Sequence, residues 1–291
     1  MGSWGSSLYS GDFAADLRRT VAVVARLPFD AEKLVDLLVD VERPSATNAD
    51  DADHTIFWLV VADQLARRGV HSSRAREAAL EIIDSGRDLE VMAQLGMPDR
   101  DRRRRSQNLA ELRARLLSPA EVKRGRMLQR PQPFLWEPGE VLVFPTSRGE
   151  CINPYFRNKK LITGGWSQDG WGAAIVVERG RAFDFLTWYR PLVASSVEQE
   201  KPVIDTMVAR RHWRLDRPGT ASRLHIARME IEGIGRLNVD LAKLYARFAK
   251  LPTGVADAVN DVSIANRLRV GVTRPQPRQD PTIESVSELL A

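Results

Sequence analysis

Cysteine is nearly absent from this 291-residue chain. Cys151 is the only one, which excludes an internal disulfide and a multi-cysteine zinc site. Histidine is scarce as well: none of His54, His71, His212 and His225 lies at metal-ligand spacing from another. Solvated or sheet positions account for them, although His212 and His225 flank two expected strands and could approach each other. Long apolar runs are missing, since Ile56–Ala62 and Ala173–Val177 fall far short of the roughly 20 residues that span a bilayer. The sequence opens MGSWGSSLYSGDF, without a basic stretch followed by an apolar one, so no signal peptide is expected and a cytoplasmic location is. The nucleophile elbow GxSxG, the phosphate loop GxxxxGK followed by Ser or Thr, and the metalloprotease HExxH are all absent. No cofactor, no metal and no membrane partner are expected.

What is present describes a globular protein. A hydrophobic content of 43% with 28% charged residues supplies enough apolar surface for a core and argues against disorder. Charge is unevenly placed: residues 1–97 carry a net −6, residues 98–130 a net +7, and the rest of the overall +5 falls in residues 131–291. The basic character therefore belongs to one short segment.

The periodicity predicts an α+β protein. Residues 1–97 read as a small helical domain. A helix capped by Ser10 or Asp12 runs to about Arg26 with Phe13, Leu17, Val21 and Val24 on one face, and Leu34, Leu37, Leu38 and Val41 form a second stripe. A third helix runs from an Asp53 cap to Arg68, and a fourth from Ser72 or Ser73 to Ile83, stopped by Gly86. Residues 98–133 read as a basic helical linker, opening with PDRDRRRRS and holding a helix over Asn108–Leu117 and a fresh helix start at Ser118-Pro119-Ala120-Glu121. Residues 134–272 read as a β-rich domain with a twisted sheet. Its expected strands are Val141–Phe144, Ala173–Val177, Ala182–Leu186 and Arg223–Ile231, with a hairpin turn at Gly180 and a late helix over about Val239–Ala249. Residues 273–291, Pro-rich and then weakly helical, read as a mobile tail.

Three groups of residues could carry function. The first is aromatic: Trp166, Trp171, Phe183, Phe185, Trp188 and Tyr189 crowd into 24 residues. Rings with a polar edge anchor protein interfaces, so Trp166, Asp169, Trp171, Trp188 and Tyr189 form a candidate partner-binding set, while Phe183 and Phe185 suit a core. The second is basic: Arg102, Arg103, Arg104 and Arg105 with Lys123 and Arg124 could neutralise phosphates, or serve as a solvated linker. No aromatic residue is interleaved there to stack on bases. The third is acidic: Asp12 with Asp16, and Asp84 with Asp88, each four residues apart, could together bind a cation or act as acid and base, or could simply favour helix starts. Cys151 reads as an idle, packed thiol.

MGSWGSSLYSGDFAADL at the start, IFWLVVADQLARRG at 56–69 and ALEIIDSGRDLE at 79–90 resemble the bacterial domain-of-unknown-function family 4259 over residues 1–95. The third motif continues VMAQLGMPD where such domains have a more polar, tryptophan-containing end. The resemblance implies a compact helical domain without an established biochemical role. Residues 139–235, through GEVLVFP and the later AFDFL, are similar to the immunity protein 26 family, and depart from it in the insertion NPYFRNKKLITGGWSQDGW. That similarity implies a twisted β-sheet core and an antidote role in bacterial polymorphic-toxin systems. The expected function is a non-catalytic binding protein whose partner is a cognate toxin. A nucleic-acid-binding protein using the basic connector and a carboxylate-dependent enzyme are the alternatives.

Overall fold

The computed structural model describes residues 5–118, 122–162, 164–208, 211–247, 253–270 and 282–290. The protein is α+β, with helices in the first part of the chain and an antiparallel sheet in the second. The chain forms two compact units, Met1–Arg130 and Pro131–Ala291. No helix among the described residues is long and apolar enough to cross a membrane.

The first unit holds α1 (Asp12–Val24), α2 (Ala31–Val41), α3 (Arg43–Thr47), α4 (His54–Ala66), α5 (Ser73–Ser85), α6 (Arg87–Gln94) and α7 (Asp99–Leu117). Local chemistry sets the ends. The Asp30 carboxylate accepts from Lys33 N at the start of α2, and Ser72 Oγ accepts from Ala75 N at the start of α5. Gly86, at φ +73°, ends α5 in the left-handed conformation and turns the chain into α6. Helix α4 is apolar on all sides and packs against α1, α3, α5 and α7, so it is the centre of the bundle.

The basic segment is not an open linker. Helix α7 begins at Asp99, and Leu109, Leu112 and Leu116 form its buried stripe. Arg105, four residues before Leu109, continues that stripe inward. The composition break at residue 98 therefore marks the start of a packed helix, and the division between units falls at Arg130/Pro131. Of the fresh helix expected from Ser118, residues 119–121 lie outside the described residues and 122–128 are not helical. That segment is tied down instead: Leu128 N donates to Arg26 O at 2.7 Å. Gly69, at φ +66°, lies so close that a Cβ there would stand 2.1 Å from Val122 O.

The second unit is built on β1 (Glu140–Ser147), β2 (Glu150–Cys151), β3 (Gly170–Ala182), β4 (Leu186–Ala194), β5 (Arg211–Leu215), β6 (Glu232–Arg236) and β7 (Thr282–Ser285), with α8 (Ile204–Val208), α9 (Arg223–Met229), α10 (Leu241–Arg247) and α11 (Val255–Val259). The strand order is β2-β1-β3-β4-β5-β7, and β6 pairs with β1. Side chains alternate between two buried faces. Val141, Val143, Ile175, Val177, Leu192 and Trp213 share one core, and Leu142, Phe144, Val176, Tyr189 and Val193 the other. Burial on both faces is why these strands read as unbroken apolar runs.

Several expected elements change. Ala182–Leu186 is not a strand: Phe183 and Asp184, at φ +51° and +63°, turn β3 into β4, and both Phe183 and Phe185 are half-buried. Gly180 lies inside β3, where a Cβ would stand 2.4 Å from the Trp188 ring. Arg223–Met229 is helix α9, because Ser222 caps it by accepting from His225 N at 3.1 Å. In the late helix, α10, Leu244 is buried but Tyr245 is exposed, and Phe248 lies outside the described residues. Within the expected tail, residues 282–290 are not loose: β7 pairs with β5, and Val286 and Leu289 are buried in the sheet core, while 271–281 and 291 lie outside the described residues.

Candidate protein-binding surface

The aromatic set divides. Trp188 and Tyr189 are interior, contrary to the expectation that they meet a partner. Trp188 packs where Gly180 and Gly254 leave room for its ring. The Tyr189 hydroxyl accepts from Leu135 N at 2.7 Å, and its ring meets Trp136 edge-on at 5.0 Å. Side chains two apart on a strand face the same way, which puts Trp188 and Arg190 on one face of β4 and Tyr189 on the other. Asp169 is exposed, yet both carboxylate oxygens are engaged: Thr146 Oγ1 donates at 2.9 Å and Arg148 N donates to the second oxygen. With Arg148 at φ +55°, Asp169 braces the β1–β2 turn.

Trp166 and Trp171 are half-buried and each carries a cation. Lys159 Nζ stands 4.5 Å from the Trp166 ring centroid and Lys201 Nζ 5.3 Å from that of Trp171. Trp171 is also fixed by backbone bonds with Glu198, at 2.7 and 2.9 Å.

Around Trp166 a larger surface assembles that the aromatic spacing alone did not reveal. The segment between β2 and β3 lies against α9. Arg228 Nη1 donates to Pro154 O at 2.9 Å, Lys159 pairs with Glu230 at 2.7 Å, and the Tyr155 ring meets the His225 ring edge-on at 5.1 Å. Tyr155, Leu161 and Leu224 are 59%, 55% and 57% exposed. Arg157, Lys159, Lys160, Arg223 and Arg228 bring positive charge, with Glu230 and Asp261 as the nearby acids. Burial, reinforced by Arg228 and opposed by Asp261, pushes His225 below its ordinary value, and burial beside Asp261 raises Tyr155. The surface combines apolar rings with a cationic rim.

The basic set is largely consumed by the fold. Arg105 is buried and forks onto Asp88, with Nε to Oδ2 at 2.6 Å and Nη2 to Oδ1 at 2.8 Å. Arg102 pairs with Asp99. Arg124 donates to Phe29 O and Leu27 O, both at 2.9 Å, and to Ala25 O at 3.4 Å, neutralising the carbonyls at the end of α1. Arg103, Arg104 and Lys123 remain exposed without an ion pair among the described residues.

The carboxylates do not work as a group. Asp88 is fully buried on Arg105 and also accepts from Thr55 Oγ1 at 3.2 Å, whereas Asp84 pairs with Arg113 at 2.6 Å on the surface. Asp16 pairs with Arg19 at 2.8 Å, and Asp12 is exposed in the first turn of α1. Among the described residues no three His, Cys, Asp or Glu side chains are placed to hold a metal ion. His212 is exposed on β5, His225 rests on Tyr155, and His54 Nδ1 lies 2.8 Å from Ser45 O. Cys151 is buried, and desolvation pushes its thiol up to about 12. It should therefore resist 5,5′-dithiobis(2-nitrobenzoate) at pH 8 until the protein unfolds; rapid labelling of the native chain would contradict that placement.

One polar cluster was overlooked. Asp63, in the apolar run of α4, is 1% exposed and accepts from Arg67 Nε at 2.7 Å, Arg115 Nη2 at 2.6 Å and the Tyr9 hydroxyl. A carboxylate within LVVADQLA was the available signal. Burial pushes Asp63 up, but the bonds from Arg67, Tyr9 and Arg115 outweigh it and hold the group below its ordinary 3.8. A depressed folded value stabilises the protein above the unfolded value and fades as pH falls through the folded one. Melting of the wild type should consequently decline faster than that of Asp63→Asn below about pH 4; parallel pH curves would refute this.

Comparison with protein-family models, with curated proteins and with solved structures finds no match to the chain.

Proposed function

We propose that the chain is a non-catalytic binding protein of the bacterial cytoplasm, an immunity protein that neutralises a polymorphic toxin by protein–protein contact. The toxin would sit on the face made by the β2–β3 segment and α9. The observation that carries this reading is the exposure of Tyr155, Leu161 and Leu224 on a segment and helix that the Tyr155–His225 and Lys159–Glu230 contacts join, with Lys159 also lying over Trp166. Contiguous exposed apolar patches on soluble proteins mark interaction sites, and aromatic side chains are the usual anchors. The cationic rim suits a partner with an acidic face. The toxin as partner follows from the resemblance of residues 139–235 to immunity protein 26. Tyr155, Leu161 and Trp166 of the patch fall in the insertion that departs from that family, which suits a contact private to one toxin. Nucleic-acid binding through the connector draws less support, because Arg102, Arg105 and Arg124 are occupied within the helical unit.

The test is calorimetric titration with the candidate toxin, the product of the neighbouring gene. Tyr155→Ala and Trp166→Ala should each cost about 2 kcal/mol or more, some thirtyfold in affinity. Tyr155→Ala should melt like the wild type, since its side chain is mostly in solvent. Wild-type affinity in both variants would overturn the assignment.

A further inference from the structure

The Asp63 cluster lies in the helical unit and is independent of the partner surface. It borders a cavity of about 230 Å³ between the segment Ser7–Tyr9, α4 and α7. Asp63 holds Arg67 by one nitrogen and Arg115 by another, so each guanidinium, with five N–H groups, keeps donors to spare. The two arginine side chains are 53% and 44% exposed and both line the cavity. More positive charge stands beside them. Arg18 stacks over the Tyr9 ring with its guanidinium carbon at 5.1 Å, and Arg68 Nη1 donates to Gln64 Oε1 at 2.6 Å. Against these four arginines stand Asp63 and, on the exposed side of α7, Glu111. Arg105 also lines the cavity but is spent on Asp88 and on Ser7 O. Leu8, Leu109 and Leu112 supply apolar wall.

A buried carboxylate that fixes two partly exposed guanidiniums beside a cavity is an arrangement for gripping an oxyanion, because planar forks match carboxylate and phosphate geometry. We propose that this cavity binds a small molecule through one oxyanion group, carboxylate or phosphate, held by Arg67 and Arg115. Its volume is below the roughly 300–1,000 Å³ of sites for drug-sized ligands, so the ligand is small.

The full chain is titrated at low ionic strength with inorganic phosphate and, separately, with benzoate as a planar carboxylate with an apolar body. One of the two should bind saturably with a dissociation constant of about 1 mM or tighter, a free energy near −4 kcal/mol. Preference between them tells phosphate from carboxylate. Arg115→Gln should weaken binding at least about tenfold. Arg104→Gln, exposed on α7 and not in the cavity wall, should change it less than twofold. If Arg115→Gln does not fold, arginine modification of the wild type by phenylglyoxal replaces it, and the better-binding anion should protect Arg67 and Arg115 but not Arg103 or Arg104. Flat titrations with both anions, equal losses in the two variants, or no selective protection would overturn the proposal.

Discussion

Asp88→Ala is expected to destabilise the helical unit by about 3–5 kcal/mol, because it leaves the Arg105 guanidinium buried without its counter-charge. Asp88 is fully enclosed and Arg105 is 2% exposed, so water cannot replace the lost partner without the helices parting. The fork of two bonds, at 2.6 and 2.8 Å, joins α6 to α7, and Thr55 Oγ1 ties the same carboxylate to α4. For a unit of this size the loss corresponds to a fall of about 10–20 °C in the helical melt read by circular dichroism. The paired variant Asp88→Leu/Arg105→Met should recover most of that fall, since a buried ion pair replaced by apolar side chains of similar volume is often nearly neutral. Asp84→Ala, removing an exposed pair with Arg113, should cost less than about 1 kcal/mol. Equal melting of the Asp84 and Asp88 variants would show that the buried fork does not hold the bundle.

Trp188→Ala should destabilise the sheet unit by about 3–5 kcal/mol, as for other buried tryptophans cut to alanine. Gly180 in β3 and Gly254 ahead of α11 both lie against its ring, with a Cβ at 2.4 or 2.2 Å from ring atoms if either carried one. Both glycines are thus spaces filled by the indole, and emptying them leaves a cavity that a β-strand and a helix start cannot close easily. Its cross-strand partner is Gly180, and the next pair along the same face is Arg190 with Glu178, at 2.8 Å. The melting midpoint should drop by about 10 °C or more. A small effect, with partner affinity lost instead, would mean that Trp188 acts as an interface anchor.

Much of the architecture was readable in the sequence. The amphipathic stripes of α1, α2 and α5, the stop at Gly86 and the apolar runs of β1 and β3 depend on local periodicity and turn chemistry, which a sequence carries directly. Pairings made across the fold were not readable. Four residues separate Asp84 from Asp88, a spacing that shares a helical face, but the left-handed Gly86 between them breaks the helix and sends one carboxylate to the surface and the other to Arg105. The run Arg102–Arg105 has the composition of a solvated linker, yet its fourth member lies on the Leu109–Leu112–Leu116 stripe and meets an acid 17 positions earlier. Arg223–Met229 alternates as a strand would, and a Ser222 cap decides it for helix. The proposed partner surface joins residues some seventy positions apart, Pro154 with Arg228 and Lys159 with Glu230, so no window of sequence contains it.

Growth rescue tests the central claim most directly. A bacterial host expresses the candidate toxin, taken from the gene neighbouring this one, together with the full-length protein, either wild type or Tyr155→Ser/Leu161→Ser/Leu224→Ser, with thermal melting measured for both. The three changes fall at exposed positions of one surface, so the variant should melt within a few degrees of the wild type. The account predicts that the wild type restores growth and that the folded triple variant does not. Full rescue by the triple variant, or none by the wild type, would contradict it.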